Sequence, residues 1–169
     1  MRIGIIVLSW SYRPGREPNP CNVSLAGEYK RAYRELTAEG HSVFGSLQWE
    51  AALNMGVREY NVVKVVRAYR RGSTCEGDSQ EILEQSLEAF DEIGGVDEIV
   101  VIANPWIHLL VFRAMAKKRG VKIRSRKVRW IGFDKESSQW QVRGPIRSIV
   151  YTILRVLHLY QVTTSLPRE

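Results

Sequence analysis

The chain has 169 residues, 44% of them hydrophobic, and a formal net charge of +7. That length and apolar content exclude a mainly disordered protein and suit one globular domain over residues 1–169 with a single core. The charge suggests nucleic acid until it is mapped: Lys117, Lys118, Arg119, Lys122, Arg124, Arg126, Lys127 and Arg129 form an acid-free run, and without them 17 basic residues face 18 acidic ones, so the basicity is local and weighs against a general polyanion binder.

In chain order, the start, MRIGIIVLSWSYRPGREP, has an apolar stretch too brief for a signal peptide, with arginines where a small-residue cleavage site would stand. Ile3–Ser9 is expected as a buried strand, followed by a Pro-rich loop (Pro14, Pro18, Pro20). Leu25 to Glu39 reads as a helix ended by Gly40. Ser42–Leu47 reads as a weaker strand, with a short helix over Trp49–Asn54 closed by Gly56. Val62–Val66 is a β-branched strand. After the loop RRGSTCEGD, Ser79–Ile93 carries Ile82, Leu83, Leu87 and Phe90 on one side and glutamates on the other, as a helix does. Ile99–Ala103 is the next strand, Pro105–Arg119 the next helix and Val121–Ser125 a further strand. A last helix runs from about Pro145 to Tyr160.

Strands that are continuously apolar and alternate with helices signal a parallel sheet covered on both faces. The fold class is therefore α/β, a Rossmann-like three-layer α/β/α arrangement with a mostly parallel sheet. No stretch reaches the length that spans a bilayer. Cys21 and Cys75 match no zinc or CxxC spacing and suggest a reducing compartment or a casual pair. Cytoplasmic localisation is the expectation.

Ligands of open α/β sheets bind beyond the carboxyl ends of the strands, where the strand order reverses. Four stretches are expected along that rim: the loop after Ser9, the region of Gln48, Trp49 and Glu50, the loop before Ser79, and the turn from Asn104 to His108. Asn104 and Pro105 are explained as a helix cap and its first residue. His108 is not. In the first turns of a helix the dipole favours a neutral imidazole and an anionic ligand, so His108 is a candidate general base or hydrogen-bond donor; the alternative is a buried histidine bonded to a carbonyl. Asp78 and Glu81 flank Ser79 in a capping-box relationship, which is a structural role. On the same rim as His108, Ser79 would instead bond a ligand oxygen and Glu81 orient the imidazole. Glu50, at a helix start, is a further candidate, although first-turn glutamates are common for dipole reasons.

The first loop lacks both GxGxxG and GxxxxGK[ST], so no glycine cradle for phosphate is written there, and Arg13 is left as a candidate anion contact. HExxH, GxSxG and clustered metal ligands are also missing from the sequence. Lys122, Arg124 and Arg126 share one face of their strand, either as a solvated edge or as a contact for a phosphate-rich ligand or an anionic membrane surface. The last helix has an apolar stripe of Ile146, Ile149, Val150, Ile153, Leu157 and Tyr160. Packing against the sheet is the expectation, with an interfacial helix as the alternative.

These elements in this order resemble the ElyC/SanA/YdcF-type family, the domain of unknown function numbered 218, from about Ile3 to Tyr160. VSLAGEYKRAYRELTAEG is similar to that family's first helix, and GSLQWEAALNMGV to its Ser-Glu-Ala motif through Glu50 and Ala51. GDSQEILEQSLEAF stands where the family has Asn-Thr-x-Glu-Asn, which aligns Asp78, Ser79 and Glu81 with it. VVIANPWIHLLVFRAMAKKRGVKI resembles its strand and His-x-x-Arg-Ala helix, with His108 on the family histidine. GPIRSIVYTILRVLHLY resembles its closing helix. Two positions depart from the pattern: the family arginine falls on Val111, with Arg113 about 140° further round an ideal helix, and the family's second asparagine falls on Ile82. The family often carries membrane segments and is associated with envelope and polyprenyl-carrier metabolism.

The resemblance implies a small anionic, phosphorylated or nucleotide-like ligand at the rim. It also implies hydrolysis or transfer at a phosphate or sugar-phosphate centre, with His108 as base or electrophile, Glu81 orienting it, and Arg13 or the basic strand holding the anion. No cofactor is named by any motif; S-adenosylmethionine fits the fold class alone. The departures at Val111 and Ile82 favour a second reading, a non-catalytic protein that contacts an anionic partner, nucleic acid or membrane, through the basic strand and last helix.

Overall fold

The computed structural model describes residues 1–11, 13, 19–53, 55, 57–66, 79–104, 122–126 and 131–164. Five strands, β1 (Arg2–Val7), β2 (Ser42–Gln48), β3 (Val62–Val66), β4 (Glu98–Ile102) and β5 (Ile123–Ser125), form one sheet in the order β3-β2-β1-β4-β5. All four pairings are parallel. The helices are α1 (Pro20–Ala38), α2 (Trp49–Ala52), α3 (Ser79–Glu92) and α4 (Pro145–Thr164), with 3-10 turns at Val57–Tyr60 and Trp140–Arg143.

The continuous apolar runs have a direct cause. In β1, Ile3, Ile5 and Val7 point to one face and join a core with Leu25, Tyr29 and Leu36 of α1. The alternate positions Ile6 and Leu8 point to the other face and join Ile82, Leu83 and Phe90 of α3. β4 divides in the same way, with Val100 and Ile102 on the α1 face and Ile99 and Val101 on the α3 face. β1 and β4 are thus buried on both sides, which is why their runs are continuously apolar. The fold is the expected Rossmann-like α/β/α sandwich, here with an all-parallel sheet.

The helix ends explain one shift of boundary. α1 begins at Pro20, earlier than the run from Leu25, because Asn19 is its N-cap: the Asn19 side chain accepts from the backbone N–H of Asn22 at 2.9 Å. Pro20 at the first position loses no hydrogen bond there. The far end closes at Gly40, whose φ of 82° is the left-handed conformation. Gly40 N–H donates to Thr37 and His41 N–H to Leu36, the paired bonds that satisfy a helix's last carbonyls.

The last helix corrects an expectation. The described part of its apolar stripe does not pack against the sheet: Ile146, Ile149, Val150 and Ile153 are all exposed, as is Leu154, while the side chains of Leu157 and Tyr160 lie outside the described residues. Ser148 is buried, Tyr151 and Thr152 are half-buried, and Tyr151 packs on the α1-side core. That face of the sheet is already covered by α1, so α4 meets the body with the opposite side. Among the described residues no helix is long and apolar enough to cross a membrane.

Candidate functional site

Parallel strands bring their carboxyl ends to one edge, and three of the expected stretches meet there. Ser9 follows β1, Glu50 follows β2 and Asn104 follows β4. The backbone N–H of Ser9 donates to Gln48 Oε1 at 2.9 Å, tying the β1 and β2 ends together. α3 runs back across the sheet. Its carboxyl end is held at the opposite edge by Arg2, which donates to the carbonyls of Ile93 and Gly95, so its first turn, with Ser79 and Glu81, faces the rim. The reversal of strand order lies between β1 and β4, the position at which doubly wound sheets open a crevice.

The loop after β1 is built on polar groups that burial forces into pairs. Asn22 Oδ1 accepts from Trp10 N–H at 3.0 Å, and the side-chain amides of Asn19 and Asn22 both donate to the Ser11 carbonyl. Ser11 Oγ donates to Asp134 Oδ2 at 2.6 Å. Arg13 closes the group: its Nε donates to Asp134 Oδ2 at 2.7 Å, its Nη2 pairs with Asp134 Oδ1, and its Nη1 reaches Glu136 at 2.8 Å. The guanidinium and the Ser11 hydroxyl hold the Asp134 carboxyl below the usual carboxylate range, against the opposing cost of burial. The same hydrogen bond raises Arg13 further above its ordinary value. Cys21 Sγ donates to the Gly132 carbonyl at 3.1 Å, fastening α1 to the same segment. Cys21 is a free thiol, not half of a pair.

The candidate residues therefore divide into groups. Glu50 and Asn104 are at the rim and buried. Arg13 is there too, with its charge met by two carboxylates. Glu81, half-buried in the first turn of α3, accepts from Gln85 Nε2 at 3.1 Å. Ser79 opens α3. Asp78 and His108 lie outside the described residues, as do the helix expected over 105–119 and Val111. Ile82 belongs to the core.

Arg124 and Arg126 are not gathered to the rim. Arg124 lies opposite Val100 in mid-sheet, with its Nε 3.2 Å from Glu98 at the start of β4. Arg126 pairs with Glu35 near the carboxyl end of α1. Sequence reasoning missed Ser11, Asn19, Asn22 and Asp134. Asn19-Pro20 carries a legible cap signature, whereas nothing around Asp134 marks it. Among the described residues no group of three or more His, Cys, Asp or Glu is placed to hold a metal ion.

No family model matches the chain, and no curated protein matches it. Among solved structures it is similar to one titled "Crystal Structure Analysis of the Glycotransferase of kitacinnamycin", at 18% identity and a TM-score of 0.43. The similarity covers 80% of this chain and 32% of that one, so the chain spans about a third of that structure's length. The fold assignment rests on strand order and direction.

Proposed function

We propose that the protein binds a phosphorylated or nucleotide-like small molecule at the β1–β4 crevice. The observation that carries the reading is the coincidence of the switch point with a rim of buried polar side chains, Ser9, Ser11, Glu50, Asn104 and Asp134. Buried carboxylates suit a ligand's hydroxyls, and an acidic residue beyond β2 is where such sheets take a ribose. Glu50 has that position. Arg13 is committed to Asp134 and Glu136, so on this reading it stiffens the wall while the phosphate is met by other groups. His108, just beyond β4, serves as base or electrophile at the phosphate centre, oriented by Glu81. Membership of the ElyC/SanA/YdcF-type family is part of the same proposal, supported by the order of elements.

A thermal-shift screen with nucleoside diphosphates, sugar phosphates and S-adenosylmethionine tests it. A ligand at 100 times its Kd adds about 2.7 kcal/mol, a rise in Tm of roughly 5–10 °C for a domain of this size. His108→Ala is expected to weaken the ligand that shifts wild type. Affinity unchanged in that variant for every such ligand removes the histidine's role, and no shift with any ligand class removes the reading.

A further inference from the structure

α4 presents a feature that the ligand site does not use. Ile146, Ile149, Val150, Ile153 and Leu154 are 76, 47, 40, 54 and 57% exposed. At 3.6 residues per turn these positions form one continuous arc, while Ser148, Tyr151 and Thr152 turn to the protein. The helix is thus anchored by its polar side and shows its apolar side outward, the reverse of an ordinary surface helix.

Its charge indicates what would cover that face. The 20 residues of α4 include no acid and two arginines, Arg147 and Arg155, and Arg143 stands exposed just before it. Arg147 is exposed beside the apolar arc. Trp140, in the 3-10 turn that leads into the helix, is 44% exposed, and indole rings favour the headgroup zone of bilayers. A second copy paired through α4 would set arginine-bearing helices together with no carboxylate on either to receive them. An anionic lipid surface supplies both the apolar phase and the opposite charge.

We propose that α4 docks on the surface of an anionic bilayer, with its apolar arc in the boundary between headgroups and acyl chains and Arg147 at the phosphates. The helix lies in the interface plane and does not cross it, since a span needs a longer apolar run. The inference is independent of the ligand reading.

Co-sedimentation of the full chain with phosphatidylglycerol/phosphatidylcholine vesicles tests it, beside pure phosphatidylcholine vesicles and size-exclusion chromatography without lipid. Wild type is expected to pellet with the anionic vesicles at low salt, at least tenfold more tightly than with the neutral ones, and to be released as salt rises. Ile149→Glu combined with Ile153→Glu is expected to abolish pelleting while leaving the melting curve intact, because both side chains are exposed. Arg147→Glu is expected to weaken binding and flatten its salt dependence. Failure of wild type to pellet, equal pelleting of the double variant, or equal binding to neutral vesicles would overturn the proposal. So would a lipid-free dimer that the double variant converts to monomer, which would make a second copy the occupant.

Discussion

At Asp134 a carboxylate with no exposed side-chain surface answers to Arg13, to the Ser11 hydroxyl and to the backbone N–H of Glu136. Removing its charge leaves Arg13 with Glu136 alone. Asp134→Asn is expected to cost about 2 kcal/mol, the scale of a hydrogen bond to a charged group, read as a fall in Tm of roughly 4–8 °C. Because the carboxyl's folded value lies below its unfolded one of about 3.9, its stabilisation is complete above that pH and fades as pH drops through the folded value. The stability gap between wild type and Asp134→Asn should therefore shrink as pH is lowered toward 2. A gap constant from pH 7 to pH 2 would contradict the pairing.

Cys21 gives a second prediction at this scale. Burial, helped by the Asp134 carboxylate and opposed by Arg13, pushes its thiol up to about 12. A thiol that stays protonated and enclosed is a poor nucleophile. In a Cys75→Ser background, native protein at pH 8 is expected to resist a disulfide reagent and to react on unfolding. Rapid labelling of the native chain would show that the α1 start opens.

Among the elements, β2 shows how close packing is written into one residue. Gly45 faces Tyr29, and a Cβ there would sit 2.1 Å from Tyr29 Oη. That hydroxyl donates to the Tyr60 carbonyl at 2.6 Å, and Tyr29 and Tyr60 meet edge to face. Gly45→Ala must displace the ring and break the bond, a cost of about 1–3 kcal/mol for overpacking. Gly27→Ala is the control: nothing lies within 4 Å of an added Cβ in mid-α1, so the change should be neutral or add about 0.5–1 kcal/mol through helix propensity. Chemical denaturation of both variants checks the pair. Equal effects would mean that the contact at Tyr29 is not there.

Element by element, the sequence was a good guide where one physical cause dominates. Val62–Val66 ends where β-branching ends, and β4 and α3 lie within a residue of their expected bounds. The start of α1 is hidden in the sequence because Pro20 looks like loop until Asn19 is recognised as the cap before it. The α4 stripe was legible as amphipathic, but periodicity identifies an apolar face without saying which way it points. Of the site, Glu50 and Asn104 follow from strand ends. The Ser11–Arg13–Asp134 group does not, since Arg13 and Asp134 are 121 positions apart and no local pattern links them.

For the molecule as a whole, strand order carries the functional account. The strand order reverses between β1 and β4, with α1 on one face and α3 on the other, and the upper edge at such a reversal is where doubly wound sheets bind ligands. The lower edge is closed by Arg2, which bonds to Ile93 and Gly95 and whose own backbone N–H donates to Asp97 at 2.7 Å. Among the described residues, the upper edge gathers buried polar side chains at three successive strand ends, Ser9, Glu50 and Asn104.

Backbone amide shifts followed during titration with a nucleoside diphosphate, a sugar phosphate and S-adenosylmethionine test this most directly. The account predicts that one of these ligands moves Ser9, Trp10, Ser11, Ala103 and Asn104 together and leaves Arg2, Gly94 and Gly95 still. Shifts centred on the lower edge, or none with any of the three, would contradict it.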